Sequence, residues 1–280
     1  MANENKTVFG TFTEAVGIYL QHLPTFLKYM TFPVLGQFFG VLLAFGLSLG
    51  FAFNATTSGV DPSMILPLTL ILTIPGLIIF AKAFWEYLIA YVAISSMAEN
   101  TVKSGKIYDI NAHKQVALKR IPDFVGLWLL FGVFTSVALL PPMWGFGAVI
   151  FIFLVLIFQV FTFEKFATPT ECFKRSWVLV KSDFWGTLGL LALVGFLTYW
   201  LLPKVFELIL TAIQVMTLLT MLIDPMLTDS INTWNTALTT LGVPFVITSL
   251  MITKMIVGTI VSTLVICYTL PIRSIAWTLW

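Results

Sequence analysis

The sequence predicts an all-α integral membrane fold, with about six transmembrane helices in a single domain spanning residues 1–280. Of the 280 residues, 59% are hydrophobic and only 10% are charged, whereas a soluble domain usually carries about 25% charge. The apolar residues form several long runs, and most Lys and Arg residues fall in alternate loops between them. Together these observations indicate a multi-span membrane protein.

Six apolar runs are long enough to cross roughly 30 Å of hydrocarbon, which takes about 20 residues. They lie at 24–53, 64–97, 124–140, 143–163, 184–202 and 242–270. Pro75-Gly76 predicts a kink in the second span. Pro141-Pro142 predicts a tight turn between the third and fourth spans.

The distribution of Lys and Arg predicts the orientation, because cytoplasmic loops are enriched in both residues. Only Lys204 falls in the opposite set of loops, and Lys82 and Lys254 lie within spans. The other twelve cations share one side: Lys6, Lys28, Lys103, Lys106, Lys114, Lys119, Arg120, Lys165, Lys174, Arg175, Lys181 and Arg273. We therefore expect both termini to be cytoplasmic, which agrees with an even number of spans.

The segment 203–240 has two interpretations. We expect an outer-face helix that lies on or dips into the membrane, followed by a polar loop rich in Thr and Asn. The alternative makes 204–223 a seventh span. That alternative would leave a cytoplasmic stretch without Lys or Arg and would move Arg273 outside, so the positive-inside rule favours six spans.

Three segments before the odd-numbered spans resemble one another. Each opens with a candidate helix N-cap, namely Thr11, Asp109 or Thr168, and two carry Glu14 or Glu171 at the capping-box position. We expect interfacial helices near 9–23, 109–121 and 169–182, each followed by a transmembrane hairpin. Either this unit repeats three times, or these are three unrelated juxtamembrane helices.

Two of these segments have an apolar stripe at helical spacing, which is typical of a helix lying along a membrane surface. The stripe of the first consists of Phe9, Phe12, Val16, Leu20 and Leu23, and that of the third of Phe173, Trp177, Val180 and Phe184. Such a helix directs its cations toward anionic lipid headgroups. We expect this role for six residues: Lys114, Lys119, Arg120, Lys174, Arg175 and Lys181.

The third segment reads Glu-x-x-x-Arg-Ser-Trp-x-Leu-Val-Lys-x-x-Phe from Glu171 to Phe184. It resembles a segment of bacterial multispan proteins that are similar to the membrane domain attached to some glycerophosphoryl diester phosphodiesterases. The resemblance covers this motif and the six-span layout. It implies a bacterial inner-membrane protein, and it brings no catalytic residue, since the phosphodiesterase domain is absent here.

Charges within spans are candidates for an intramembrane polar site, because each costs roughly 3 kcal/mol or more to bury in lipid. Lys82 and Glu86 lie one helical turn apart and can neutralise each other. Lys254 has no acid on its own helix, and Glu86 and Glu207 are its candidate partners. These residues could line a substrate or ion pathway. Alternatively, Lys82 and Glu86 lie near the interface and Lys254 extends to it.

Gly36 and Gly40 form a GxxxG motif, as do Gly46 and Gly50. Such motifs let helices approach closely, either within the chain or between chains, so a membrane-protein partner or a homodimer is compatible with them.

The sequence contains no nucleotide-binding, zincin or serine-hydrolase motif, and His22 and His113 have no nearby cluster of metal ligands. We therefore expect no enzymatic activity, cofactor or metal, and the net charge of +2 does not suggest nucleic acid. The favoured function is a non-enzymatic protein that binds lipid or a partner protein, in a scaffold or in envelope or lipid homeostasis. The alternative is a transporter or permease subunit for a lipid or another amphiphile.

Overall fold

A computed structural model describes residues 7–58, 61–107, 109–138, 140–165, 167–242 and 246–280. Lys6 and residues 243–245 of the predicted sixth span lie outside these ranges. Within them the regular secondary structure is helical throughout. The helices are α1 Val8–Gln21, α2 Leu23–Thr57, α3 Pro62–Ser104, α4 Ile110–Leu118, α5 Ile121–Ala138, α6 Trp144–Leu154, α7 Ile157–Phe163, α8 Pro169–Ser182, α9 Phe184–Gly195, α10 Leu202–Ala212, α11 Val215–Thr240, α12 Ser249–Tyr268 and α13 Leu270–Leu279.

Six stretches of the described chain are long and apolar enough to cross a membrane, as predicted. They are Leu23–Ala52, Ser63–Ser104, Ile121–Ala138, Pro141–Phe163, Phe184–Ala212 and Ser249–Leu279. The turn predicted at Pro141-Pro142 is a short 3₁₀ helix, Pro141–Met143. The fifth stretch extends ten residues beyond its predicted end, because a π-helical segment, Phe196–Leu201, joins α9 to α10.

The chain forms two compact units. The first contains the residues up to Val194 together with Leu270–Trp280, and the second is Gly195–Thr269.

The first unit is organised around the antiparallel pair of α2 and α3, which make its most extensive helix contact. The pair is close because Gly40 and Gly76 lack side chains. A Cβ atom on Gly40 would lie 2.6 Å from the backbone nitrogen of Phe80, and one on Gly76 would overlap the backbone of Ala44. The first GxxxG motif therefore packs helices within the chain. The second does not, since Gly46 and Gly50 face open space.

Helices α1, α4 and α8 are present where interfacial helices were predicted. Asp109 caps α4, and Thr168 and Glu171 form the predicted capping box of α8. The predicted cap of α1 is wrong. The Thr7 hydroxyl accepts a hydrogen bond from the Gly10 amide and starts the helix one turn earlier, so Thr11 is a buried interior residue.

The apolar stripes predicted for α1 and α8 coincide only in part with the buried faces of these helices, since Val180 of the second stripe is buried. Helix α1 buries Thr11, Ala15, Ile18 and Tyr19, whereas Phe9 and Leu20 of its stripe are exposed. Helix α8 buries Cys172, Ser176 and Val180 and leaves Trp177 exposed. Most of the residues turned toward neighbouring helices are small or moderate in size, which allows close packing, and large apolar side chains remain on the outside.

The second unit consists of α10, α11 and α12. Residues 224–240, predicted as a polar loop, are helical. Their Thr hydroxyls donate to carbonyls one turn back, as Thr228 does to Asp224 at 2.9 Å, and this satisfies the polar side chains within the helix. Near the C-terminal end of α11, the Asn235 amide nitrogen donates to the Ile247 carbonyl, and its Oδ1 accepts from the Ile247 amide.

Candidate functional site

The cations of α8 and of the loop before it surround an open cavity of about 510 Å³. Lys165, Lys174 and Arg175 line it, together with Glu164 and Glu171. Thr168 is the N-cap of α8, and the capping box that it forms with Glu171 fixes the first turn of the helix. Lys174 follows Glu171 one turn later and lines the same cavity. We call this cavity the basic cavity.

The charges in the basic cavity do not cancel. Arg175 Nε lies 3.1 Å from Glu164 Oε1, and Glu171 Oε2 accepts hydrogen bonds from Thr168, which lower the pKa of that carboxyl group. Within the described chain, Lys165 and Lys174 have no carboxylate within 4 Å. Lys174 also lowers the pKa of Glu171 through its charge, so Lys165 is the cation of this cavity with the least compensation. The headgroup role predicted for Lys174 and Arg175 stays a prediction, and Arg175 is engaged by Glu164.

One exposed apolar side chain lines the basic cavity, that of Val178, which is 57% exposed. The residues before and after it on α8, Trp177 and Leu179, are also exposed but lie outside the lining of the basic cavity. Trp177 stacks on Phe153 with 4.0 Å between ring centroids, which fixes its indole at the surface. Cations beside exposed apolar groups are the arrangement that an interfacial helix presents to lipid.

Arg120 differs from the prediction, because its guanidinium group is directed into the protein. It donates to the carbonyl oxygens of Phe161 and Glu164, at 3.1 and 3.2 Å, and also to that of Ala167. It also lies 4.2 Å from the Phe161 ring centroid. Arg120 therefore satisfies carbonyls at the end of α7, which otherwise lack partners, and it holds the loop that carries Lys165.

Lys114 and Glu86 form an ion pair between α4 and α3, with 2.6 Å between Nζ and Oε2. Lys114 also lies 5.3 Å from the ring centroid of Tyr29. The predicted pairing of Lys82 with Glu86 is wrong, because Lys82 is exposed and lies over the Phe32 ring. Lys114 is accordingly engaged within the protein rather than directed outward.

Lys119 and Lys181, the two remaining predicted headgroup contacts, are exposed and lie outside the lining of the basic cavity. His113 is buried on α4, with Nδ1 2.9 Å from Ser96 Oγ, and burial lowers the pKa of its imidazole. In the described ranges, no three His, Cys, Asp or Glu side chains come together as a metal site would require.

In the second unit, Glu207 and Lys254 line one cavity of about 460 Å³ with three threonines. Glu207 pairs with Lys204, at 2.6 Å. Lys254 is exposed, and in the described part of the chain no carboxylate lies within 4 Å of its ammonium group. The prediction that Lys254 is interior and paired is therefore wrong, although Lys254 and Glu207 do share a site.

A third cavity, of about 390 Å³, went unnoticed in the sequence. It lies in the first unit and is lined by residues in or next to α7, α8 and α13, among them Gln159, Asp183, Trp277 and Trp280. No spacing pattern in the sequence links these residues. Helix α13 also differs from the prediction, in which the last span ends at residue 270 and Arg273 lies in a cytoplasmic loop.

No protein-family model, curated protein or solved structure matches this chain.

Proposed function

We propose that this chain is an integral membrane protein of the bacterial cytoplasmic membrane that binds anionic lipid headgroups at the basic cavity, without enzymatic activity. The observation that carries the proposal is the excess of positive charge in the basic cavity, three cations against two carboxylates, beside the exposed apolar side chain of Val178 and its exposed neighbour Trp177. A phosphate accepts hydrogen bonds from ammonium groups, and the apolar side chains suit the acyl region of the same lipid.

The surrounding fold supports a lipid ligand over an acidic segment of a partner protein. Six helical stretches have the length and composition of membrane spans, and α8 immediately precedes the fifth. A cation at that position is near the headgroup layer, where each Lys or Arg contributes about 1 kcal/mol of attraction to an anionic surface. The inner-membrane location follows from the family resemblance and from the Lys and Arg distribution.

The test compares binding of phosphatidylglycerol and phosphatidylcholine to the purified protein by native mass spectrometry from detergent micelles. We expect phosphatidylglycerol to bind preferentially. Replacing Lys165→Gln and Lys174→Gln together should weaken its binding about thirtyfold, since two ammonium contacts of about 1 kcal/mol each are lost. Arg175 is left unchanged because it pairs with Glu164.

The matched control replaces Lys28→Gln and Lys106→Gln, two exposed lysines outside the cavity, and should leave the preference nearly unchanged. Equal loss in both double variants would mean that overall charge, rather than the cavity, attracts the lipid. No preference for phosphatidylglycerol in the unmodified protein would overturn the proposal.

A second candidate, a transporter or permease subunit, is favoured by the cavity that Glu207 and Lys254 line in the second unit. Charges beside hydroxyl groups in apolar helices suit the passage of a polar headgroup. A Thr217→Cys variant distinguishes the two functions, because a hydrated pathway would let a water-soluble thiol reagent modify this position. Absence of modification from either side of the membrane would count against transport.

A further inference from the structure

The third cavity differs from the basic cavity in its charge. Its lining includes the carboxylates of Glu164 and Asp183 and, among the described residues, no Lys or Arg. Glu164 is compensated by Arg175, so Asp183 is the main source of negative charge. Asp183 is exposed, and its Oδ1 accepts one hydrogen bond, from the Gly186 amide at 3.0 Å, which leaves lone pairs for a further donor.

The uncharged polar groups of this cavity also offer acceptors. The Ser182 hydroxyl donates to the Leu179 carbonyl, and the Thr278 hydroxyl donates to the Ser274 carbonyl, so each retains only its accepting lone pairs. The Gln159 side chain is 8% exposed, and its Oε1 has no hydrogen-bond partner in the described chain. An unsatisfied buried acceptor destabilises the protein, and a ligand with N–H donors would relieve that cost.

The helices around the cavity add to the attraction for a cation. The last turns of α8 and α13 both contribute lining residues, Ser182 from the first and Trp277 and Thr278 from the second. A helix C-terminus carries partial negative charge from its unpaired carbonyls. Trp277 and Trp280 lie at the same cavity, and the face of an indole attracts cations.

We propose that this third cavity binds a primary ammonium group, supplied either by a free amine or by a lipid headgroup. The accepting atoms favour an ammonium that carries N–H donors over a fully methylated one, which has none to give. The Leu156, Val160 and Phe163 side chains that complete the lining suit the carbon atoms next to the nitrogen. This proposal is independent of the anionic-headgroup proposal, because it concerns a different ligand and a different cavity.

Two arms of one experiment distinguish the sources of the ammonium group. Isothermal titration calorimetry in detergent micelles compares ethanolamine with choline, and native mass spectrometry compares phosphatidylethanolamine with phosphatidylcholine. We expect the primary amine of at least one pair to bind more tightly than its methylated counterpart. Binding of ethanolamine alone identifies a free amine as the ligand, and binding of phosphatidylethanolamine alone identifies a lipid.

Variants of Asp183 and Ser182 connect that preference to the cavity. Asp183→Asn removes the charge and should weaken binding about tenfold, as expected for the loss of a charge-assisted hydrogen bond. Ser182→Lys places a competing ammonium at the exposed end of α8, where a cation suits the helix terminus, and it should also abolish the preference. It serves as the test if Asp183→Asn does not fold.

The matched control is Asp229→Asn, which neutralises an exposed carboxylate on α11 and should leave ammonium binding unchanged. The proposal is overturned if neither primary amine binds, or if the methylated ligands bind equally well. It is also overturned if the folded Ser182→Lys protein retains the affinity of the unmodified protein.

Discussion

Glu86 shows how strongly a single residue in an apolar helix depends on its partner. Its carboxylate lies 2.6 Å from the Lys114 ammonium, and both side chains are 24% exposed. Lys114 also faces the Tyr29 ring. Removal of one charge from such a pair leaves the other without compensation, which costs more than the pair itself contributes.

Replacing Lys114→Met should therefore lower the free energy of unfolding by about 2 kcal/mol, and adding Glu86→Gln to it should restore part of the loss. Chemical unfolding in detergent micelles measures both effects. The control is Lys103→Met, which breaks an exposed pair with Glu99 and should cost less than about 1 kcal/mol. Equal effects of the two lysine variants would show that the Glu86–Lys114 pair stabilises the protein no more than the exposed Glu99–Lys103 pair does.

The sequence pattern singles out Glu86 but predicts the wrong partner for it. Residues four apart on a helix are neighbours, so Lys82 was the local candidate, whereas the observed partner lies 28 residues along the chain. Arg120 is similar, since its carbonyl partners lie 41 to 47 residues away. Local spacing identifies charges that need compensation, and only the packing of helices determines which groups provide it.

At the scale of elements, glycine positions determine how closely α2 and α3 approach. A Cβ atom on Gly40 would lie 2.6 and 2.8 Å from the Phe80 backbone, and no side-chain rotation can relieve contacts with backbone atoms. Gly46, in the same helix, meets nothing within 4 Å. The two positions differ in packing while sharing the same residue type and helix.

Gly40→Ala should destabilise the protein by about 1–3 kcal/mol, the usual cost of overpacking. Gly46→Ala should be neutral or stabilising by up to about 1 kcal/mol, because Ala favours helices. Thermal unfolding of the two variants side by side in detergent is the measurement. A similar loss for both would mean that helix flexibility, rather than close packing, accounts for the glycines.

Most elements could be predicted because hydropathy and capping residues act locally. The apolar runs mark the six long helical stretches, and Thr168 with Glu171 marks the start of α8. Local signals failed at α13 and at residues 224–240. Pro271 fits the first turn of α13 rather than ending the preceding helix, and the Thr and Asn side chains of α11 bond within the helix or to Ile247 instead of forming a loop.

At the scale of the whole molecule, the candidate sites were only partly accessible to sequence analysis. Lys174 and Arg175 of the basic cavity lie on one predicted amphipathic helix, so the sequence pattern identifies them together, whereas Lys165 precedes that helix and is not among the predicted contacts. The third cavity draws Gln159, Asp183 and Trp277 from three separate regions of the chain. Helix packing brings these residues together, and no pattern along a single sequence predicts that they line one cavity.

The charge distribution makes a prediction about the entire chain in a membrane. Twelve of the 15 Lys and Arg residues lie in or next to segments that the sequence assigns to one side of the membrane, and this bias predicts that this side is cytoplasmic. We expect Lys106→Cys to be cytoplasmic and Ser230→Cys to be external; both positions are exposed.

Labelling with a membrane-impermeant maleimide tests this orientation. Each cysteine is introduced singly after Cys172 and Cys267 are replaced by Ala, and intact cells are treated with the reagent. The reagent should modify only Ser230→Cys until the cells are permeabilised, after which both should react, which controls for reactivity. Modification of Lys106→Cys in intact cells would invert the topology, and protection of both until permeabilisation would show that 224–240 is cytoplasmic and that the number of crossings differs from six.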